Sequence, residues 1–378
     1  MSATLIARPA ILEHKISQRP GIEIWAVLLD GQPAEAIVYP ELLGSPAPGE
    51  QVLLNTTAVE LQLGTGGQHL VLARAGLGGP VPPPAARRED GHIIKLRYTP
   101  LQCRVLAAEE EASPYHAALR QADRLPGTPV VCLGLHSQLA PVAGGIKAAN
   151  PRLRVGYLMT DSSALPLAYS RLVAQLRAAG LLDLTISAGQ AYGGELEAVN
   201  VYSGLVTAAV AGEMDVIIVG QGPGNVGTGT PLGFGGIEQA TLLNAVAALE
   251  GQPIAVPRIS FADPRARHHG VSHHTLTVLG RLTLAEVLLP LPVLPPEESA
   301  LITAQLAQYP VTRHRLLTLD GAAGISACRQ ADIALRSMGR HYENDPAFFL
   351  AAAAAGRAAA DVVDEEKRRQ GEDGKIEG

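Results

Sequence analysis

Residues 215–260 read DVIIVGQGPGNVGTGTPLGFGGIEQATLLNAVAALEGQPIAVPRIS. DVIIVG is a β-branched apolar run of the length and continuity that a strand buried on both faces requires. A glycine-rich loop follows it. Next comes IEQATLLNAVAALEG, a helical stretch, and then a second apolar run beginning PIAV. Strand, helix and strand joined in that order make a βαβ unit, in which the helix carries the chain back so that the two strands lie parallel.

The same rhythm extends upstream. The runs VVCLGL (130–135), RVGYLM (154–159) and LDLTIS (182–187) alternate with QLAPVAGGIKAA, ALPLAYSRLVAQLRAAG and ELEAVNVYSGLVTAAVAG. The expected class is therefore α/β, with a mainly parallel, Rossmann-like sheet of about five or six strands and helices on both faces. Earlier in the chain, IEIWAVLL, EAIVY, EQVLLNTTAV and QHLVLA are short β-like runs punctuated by DG, PG and GTGG turns, so residues 1–80 read as a small β-barrel or sandwich. The proline-rich stretch at 81–91 reads as a linker, because proline withholds backbone donors from any sheet or helix. Residues 92–290 then form the α/β domain. After a second joint, LPLPVLPPEES, residues 291–363 read as a mainly helical region packing on that domain, and the charge-alternating 364–378 as a disordered tail.

Composition narrows the function classes. The chain has 378 residues, 47% hydrophobic content and a formal net charge of -6, a balance that argues against nucleic acid as the main partner. Cys103, Cys132 and Cys328 are scattered without metal-site or disulfide-framework spacing, which fits a reducing compartment. No signal pattern opens the sequence and no apolar run approaches the roughly 18 residues of a membrane helix, so a cytoplasmic location without membrane contact is expected. The alanine-rich helix from Pro346 calls for close packing, within the chain or across a homodimer. Lys95 and Arg97 read as a solvated pair.

Ligands of open parallel sheets bind beyond the carboxyl ends of the strands, and the polar residues there supply the candidate site. His136, Asp161 and His273 are the candidates for proton handling. Gly222, Gly224, Asn225, Gly227, Thr228 and Thr230 form a loop whose backbone N–H groups and hydroxyls could hold an anion. Gly222, Gly224 and Gly227 match GxGxxG literally, but TGTPLGFGG intervenes before the helix, unlike a dinucleotide fingerprint. Arg265, Arg267, His268, His269, Ser272 and His274 follow the last strand. Ser272 resembles an N-cap that places His273 and His274 in a first helical turn. This local excess of donors favours a phosphate-bearing ligand. A metal is the competing reading, with Asp263, His268, His269 and His273 as ligands. Against it stand the absence of the i, i+4 spacing of HExxH and the neighbouring arginines, which repel cations.

The segments LNTTAVELQLGTGG, GHIIKLRYTPLQ, GLHSQLAPVAGGIKA, MTDSSALPLAYSRLV, GPGNVGTGTPLGFGGIEQ and RISFADPRARHHGVSHHTL resemble those of a bacterial family known as domain of unknown function 3866. The resemblance runs from about Val52 to Gly356 and implies a bacterial cytosolic protein. It transfers no catalytic residue. Three functions stay open: an enzyme acting on a small phosphorylated or nucleotide-like anion, a metabolite-binding regulatory module, and a metal-dependent hydrolase built on the histidines.

Overall fold

The computed structural model describes residues 5–62, 66–75, 91–99, 101–311 and 313–376. The proline-rich linker, apart from Gly91, lies outside the described residues. The chain divides into two compact units, Met1–Glu89 with Leu96–Val105 and Asp90–Lys95 with Leu106–Gly378.

The first unit is a closed barrel of five strands: β1 (Ala7–Arg19), β2 (Ile22–Leu29), β3 (Gln32–Val38), β4 (Gln51–Asn55) and β5 (Gln68–Arg74), in the order β1-β2-β3-β5-β4. β1 was not read from the sequence, because register shifts near Leu12 and Lys15 break the alternation that marks a half-buried strand. Asp30 and Gly31 both have positive φ (51° and 75°), the conformation that a two-residue hairpin turn matching strand twist requires. Leu12, Trp25, Val27, Val38, Leu54 and Val71 fill the interior. The fully buried Glu23 sits among them, accepting hydrogen bonds from Lys15 Nζ (2.6 Å), Trp25 Nε1 (2.8 Å) and Ser45 Oγ (2.9 Å).

The second unit is built on an eight-stranded, wholly parallel sheet: β6 (Pro129–Cys132), β7 (Val155–Thr160), β8 (Leu184–Ser187), β9 (Leu196–Glu197), β10 (Val216–Gln221), β11 (Gln252–Ala255), β12 (Leu288–Pro292) and β13 (Arg315–Leu319). Strand order is β9-β8-β7-β10-β6-β11-β12-β13. The expected strands pair as anticipated, with Ile217 of β10 opposite Val130 of β6. The sheet is larger than expected because β9 lies within a stretch read as helix, β12 at the proline-rich joint and β13 within the region read as mainly helical. Along β6 and β10, alternate residues enter opposite cores: Val131 and Ile218 face one, Val130 and Ile217 the other. Helices α1 (Leu139–Ala149), α2 (Arg171–Ala178), α7 (Ala322–Gln330) and α8 (Pro346–Ile376) cover the first face. Helices α3 (Val201–Val210), α4 (Glu238–Ala248), α5 (His273–Thr277) and α6 (Pro296–Ala307) cover the second.

The connection leaving β6 runs through α1 on one face towards β7, and the connection leaving β10 runs through α4 on the other face towards β11. These departures go in opposite directions from adjacent strands. They open the carboxyl edge between β6 and β10, the switch point at which doubly wound sheets bind ligands.

Close packing expected of the alanine-rich helix takes place within the chain. An added Cβ on Gly145 of α1 would overlap the Ala353 carbonyl of α8, and one on Gly356 would overlap the Val142 carbonyl, so the two backbones touch directly. By length and composition the stretch Pro346–Arg369 would suffice to cross a membrane, an apolar run that the sequence reading passed over. Yet 72% of its apolar 18-residue window is buried in the structure, as in a core helix. Residues 364–376 continue α8 instead of forming a disordered tail. Within this last part Arg369 pairs with Glu365 at i, i+4 spacing (3.9 Å), and Lys367 reaches Asp215 at 3.2 Å.

Candidate functional site at the carboxyl edge

β11 leads into a short antiparallel pair, Ile259–Ser260 with Gly270–Val271, and then into α5. This hairpin turns the chain back so that His268, in the turn before its second strand, meets the first turn of α5. Ser272 is the N-cap of α5, and its Oγ accepts from His274 N–H at 3.2 Å. The α-helical part is five residues long and continues as a π-helical turn, Val278–Leu282. What it contributes is placement of His273 and His274 as consecutive residues beside His268.

The three rings form a cluster with centroid separations of 5.0 Å (His268–His273), 4.9 Å (His268–His274) and 4.3 Å (His273–His274). One nitrogen of each lies within 4.8 Å of the other two. His268 Nδ1 is 2.7 Å from Ser272 Oγ, and His273 Nε2 is buried without a partner among the described residues. Burial first, then the charge of Arg258 and Arg265, pulls His268 down to about 3. Burial beside His273 takes His274 to about 3, and burial near Arg267 lowers His273 as well. At neutral pH all three are uncharged imidazoles, each with a nitrogen lone pair available as base or ligand.

Around this cluster three arginines share two carboxylates, and a fourth stands apart from them. The buried Asp263 carboxylate meets Arg258 (3.1 Å), Arg265 (2.8 Å) and Arg340 (3.5 Å), and Arg340 also reaches Asp345 at 3.1 Å. Hydrogen bonding from Arg265 holds Asp263 far below the usual carboxylate range. Arg258 is pulled down to about 10 by burial, and its Nε has no partner among the described residues; neither has Asp345 Oδ1. The fourth, Arg267, is exposed and makes no ion pair among the described residues. Positive charge is therefore in local surplus, although the whole chain carries a net charge of -6.

The glycine loop after β10 adjoins this segment. Phe234 stacks on His274 with centroids 3.7 Å apart and planes 4° from parallel, and the Arg267 guanidinium is near enough to Gly229 that an added Cβ there would lie 3.9 Å from its Nη2. The loop is braced internally: Thr228 Oγ1 donates to the Gly233 carbonyl (3.0 Å) and lies 2.9 Å from Thr230 Oγ1, which accepts from Gly233 N–H at 3.1 Å. The hydroxyls of Thr228 and Thr230 thus brace the loop's shape. Gly224, with φ 108°, occupies a conformation that side chains rarely adopt. Asn225 accepts from Gln221 Nε2 at 3.0 Å, while Gly222 is buried under the Ala164 carbonyl and Gly227 lies in the exposed part of the loop.

Other candidates separate from the cluster. His136 Nε2 is 2.7 Å from Ser170 Oγ and its Nδ1 is 3.3 Å from the Tyr157 hydroxyl. Both nitrogens of His136 are thus engaged, and burial lowers it to about 4. Asp161 accepts from Gln190 N–H at 2.8 Å, bracing the turn after β8. The metal ligand set anticipated from the sequence also changes. Asp263 is occupied by guanidinium groups, and the exposed His269 packs edge-on against Phe261 at 5.4 Å.

Several polar residues were not among the expected site residues. Glu238, in the first turn of α4, accepts from Thr160 Oγ1 at 2.8 Å, and burial raises its pKa. Lys95 is fully buried instead of solvated, 3.4 Å from Glu197 and donating to the Ala198 carbonyl at 2.9 Å. Burial opposes the charge on both members of that pair. Arg340 and Asp345 lie about 70 residues beyond the histidines in sequence, so only the fold could bring them in.

An open, doubly wound α/β unit with clustered imidazoles and guanidinium groups at its carboxyl edge is thus the class that fold and site define. The chain belongs to the family described as Protein of unknown function (DUF3866), a model of which matches residues 35–356. No curated protein and no solved structure matches it significantly.

Proposed function

We propose that this protein is an enzyme acting on a small phosphate-bearing molecule held at the carboxyl edge of the large sheet. The observation that carries this reading is that Arg258, Arg265 and Arg340 share two carboxylates while Arg267 stands exposed beside them without an ion pair among the described residues, next to three uncharged histidines. Guanidinium groups match phosphate oxygens in geometry and charge. Arg267, exposed beside Gly229, and Arg265, whose side chain remains 45% exposed, are the two placed to reach a ligand from solvent. A purely sensory site needs such donors. It has no use for buried imidazoles kept neutral beside them, which supply bases or ligands at pH 7.

The test is calorimetric titration of the full chain with inorganic phosphate, pyrophosphate and a nucleoside monophosphate, followed by turnover assays on phosphate esters. Saturable binding that weakens about tenfold in Arg267→Ala, with turnover falling on both sides of a pH optimum, is expected. Binding without turnover would favour a metabolite-sensing module, and no binding at millimolar concentration would remove the reading altogether.

A further inference from the structure

We infer that His268, His273 and His274 together hold one divalent transition-metal ion. Three features of the cluster point to it. One nitrogen from each ring already lies within 4.8 Å of the others, whereas nitrogens on a tetrahedral zinc-sized ion stand about 3.3 Å apart, given metal–nitrogen bonds of about 2.0 Å. Side-chain rotations that move each nitrogen by about an ångström close that gap. Next, His273 Nε2 is buried and lacks any partner among the described residues, a cost that ligation removes. Last, His268 Nδ1 is engaged by Ser272 Oγ at 2.7 Å, leaving Nε2 as its ligating atom. A ring nitrogen fixed by an outer hydrogen-bond partner is the recurrent arrangement around metal-bound histidine. Phe234, stacked on His274, limits rotation of that ring and excludes water from one side.

Neighbouring arginines do not exclude the ion. Asp263 engages Arg258 and Arg265, and Asp345 engages Arg340, so most of their charge is compensated locally. Three protein ligands leave a fourth position open, as in catalytic and not structural sites. There the ion would meet a water or a phosphoryl oxygen of a ligand held by Arg265 and Arg267. That role for the arginines rests on the function proposed above, whereas the imidazole geometry stands without it.

The decisive experiment is titration of chelator-treated full-length protein with cobalt(II), read by visible absorption, in the absence of phosphate. One equivalent bound with the intense bands of a tetrahedral, nitrogen-ligated ion is expected, and zinc should displace it. His273→Gln should weaken cobalt binding by 10-fold or more, and His269→Ala should leave the spectrum unchanged. Because the wild-type spectrum itself reports ligation, a variant that fails to fold does not spoil the test. Weak octahedral bands only, or equal binding by His273→Gln, would overturn the inference. A parallel phosphate titration keeps the two readings apart: cobalt without phosphate binding sinks the proposed substrate alone, and phosphate without cobalt binding sinks the metal site alone. If both hold, phosphate should tighten cobalt binding and cobalt should tighten phosphate binding by the same factor.

Discussion

Glu23 in the barrel and Asp263 at the edge of the large sheet are both buried carboxylates, but their surroundings differ. Glu23 accepts from Lys15, Trp25 and Ser45, and its charge is met by one lysine. Asp263 is met by three guanidinium groups, and within the same network Arg258 Nε and Asp345 Oδ1 find no partner among the described residues. An unsatisfied buried polar atom costs roughly 1–3 kcal/mol. The Glu23 network in the barrel is closed by its three donors, whereas the Asp263 network leaves an unbalanced charge and two unpartnered atoms. That difference is what the proposed ligand site would account for.

The contrast can be broken by deleting each carboxylate in turn. Trp25 is the only tryptophan of the chain and sits in the barrel, so its fluorescence follows the first unit. Far-ultraviolet circular dichroism is dominated by helices of the second. Asp263→Ala strands a buried guanidinium and should cost about 3–5 kcal/mol of second-unit stability in urea titrations. Adding Arg258→Met should recover much of that loss, since no buried charge is then left unpaired. In the barrel, Glu23→Ala removes the acceptor of Trp25 Nε1 but leaves Lys15 able to reach water, so about 1–3 kcal/mol is expected, read by fluorescence. If either substitution shifts both signals equally, the units unfold together and the comparison loses its basis.

Acid provides a milder probe. Burial lowers His136 to about 4 and both His268 and His274 to about 3, below the roughly 6.5 of an unfolded chain. In the window between these values the unfolded state takes up protons that the folded state refuses. Stability of the second unit should therefore fall as pH drops from about 6.5 towards 4, by up to about 1.4 kcal/mol per pH unit for each such histidine. Asp263, with a depressed pKa, contributes stability that is present above the unfolded value of about 3.9 and is lost only below it. It adds nothing to this slope. Replacing His136 with Asn should flatten the curve, and an unchanged slope would show that its ring is more open to solvent than the fold suggests.

The central strands were legible because a parallel strand covered on both faces must be continuously apolar, as Val216–Val219 and Val155–Met159 are. Edge strands have no such demand: β9 is two residues long, and Arg315 and Thr318 interrupt β13. The start of α3 was misplaced because Glu195–Val199 has apolar content, whereas the chain enters the helix only where Asn200 caps it, accepting from Tyr202 and Ser203 N–H. At the site, the density of His and Arg in 258–274 was visible. The ligand set was not, because His268 joins His273 and His274 through a hairpin and not along a helix. Local spacing carries no record of such a contact, nor of the one with Phe234.

The smallest stability change belongs to Arg267, and it sharpens the comparison most. An exposed side chain with no ion pair among the described residues contributes little to folding. Arg267→Ala should therefore stay within about 0.5 kcal/mol of the parent in urea, while phosphate affinity falls about tenfold, equivalent to roughly 1.4 kcal/mol. A lysine at 267 retains charge but cannot offer two parallel N–H donors, so it should recover only part of the affinity. Binding that drops with no loss of stability separates recognition from scaffold, which Asp263 cannot do because it serves both. Should Arg267→Ala instead destabilise the second unit by more than about 1 kcal/mol, its contact with the Gly229 loop would be a packing contact. The surplus charge at this edge would then belong to the fold, as the charges of the barrel do.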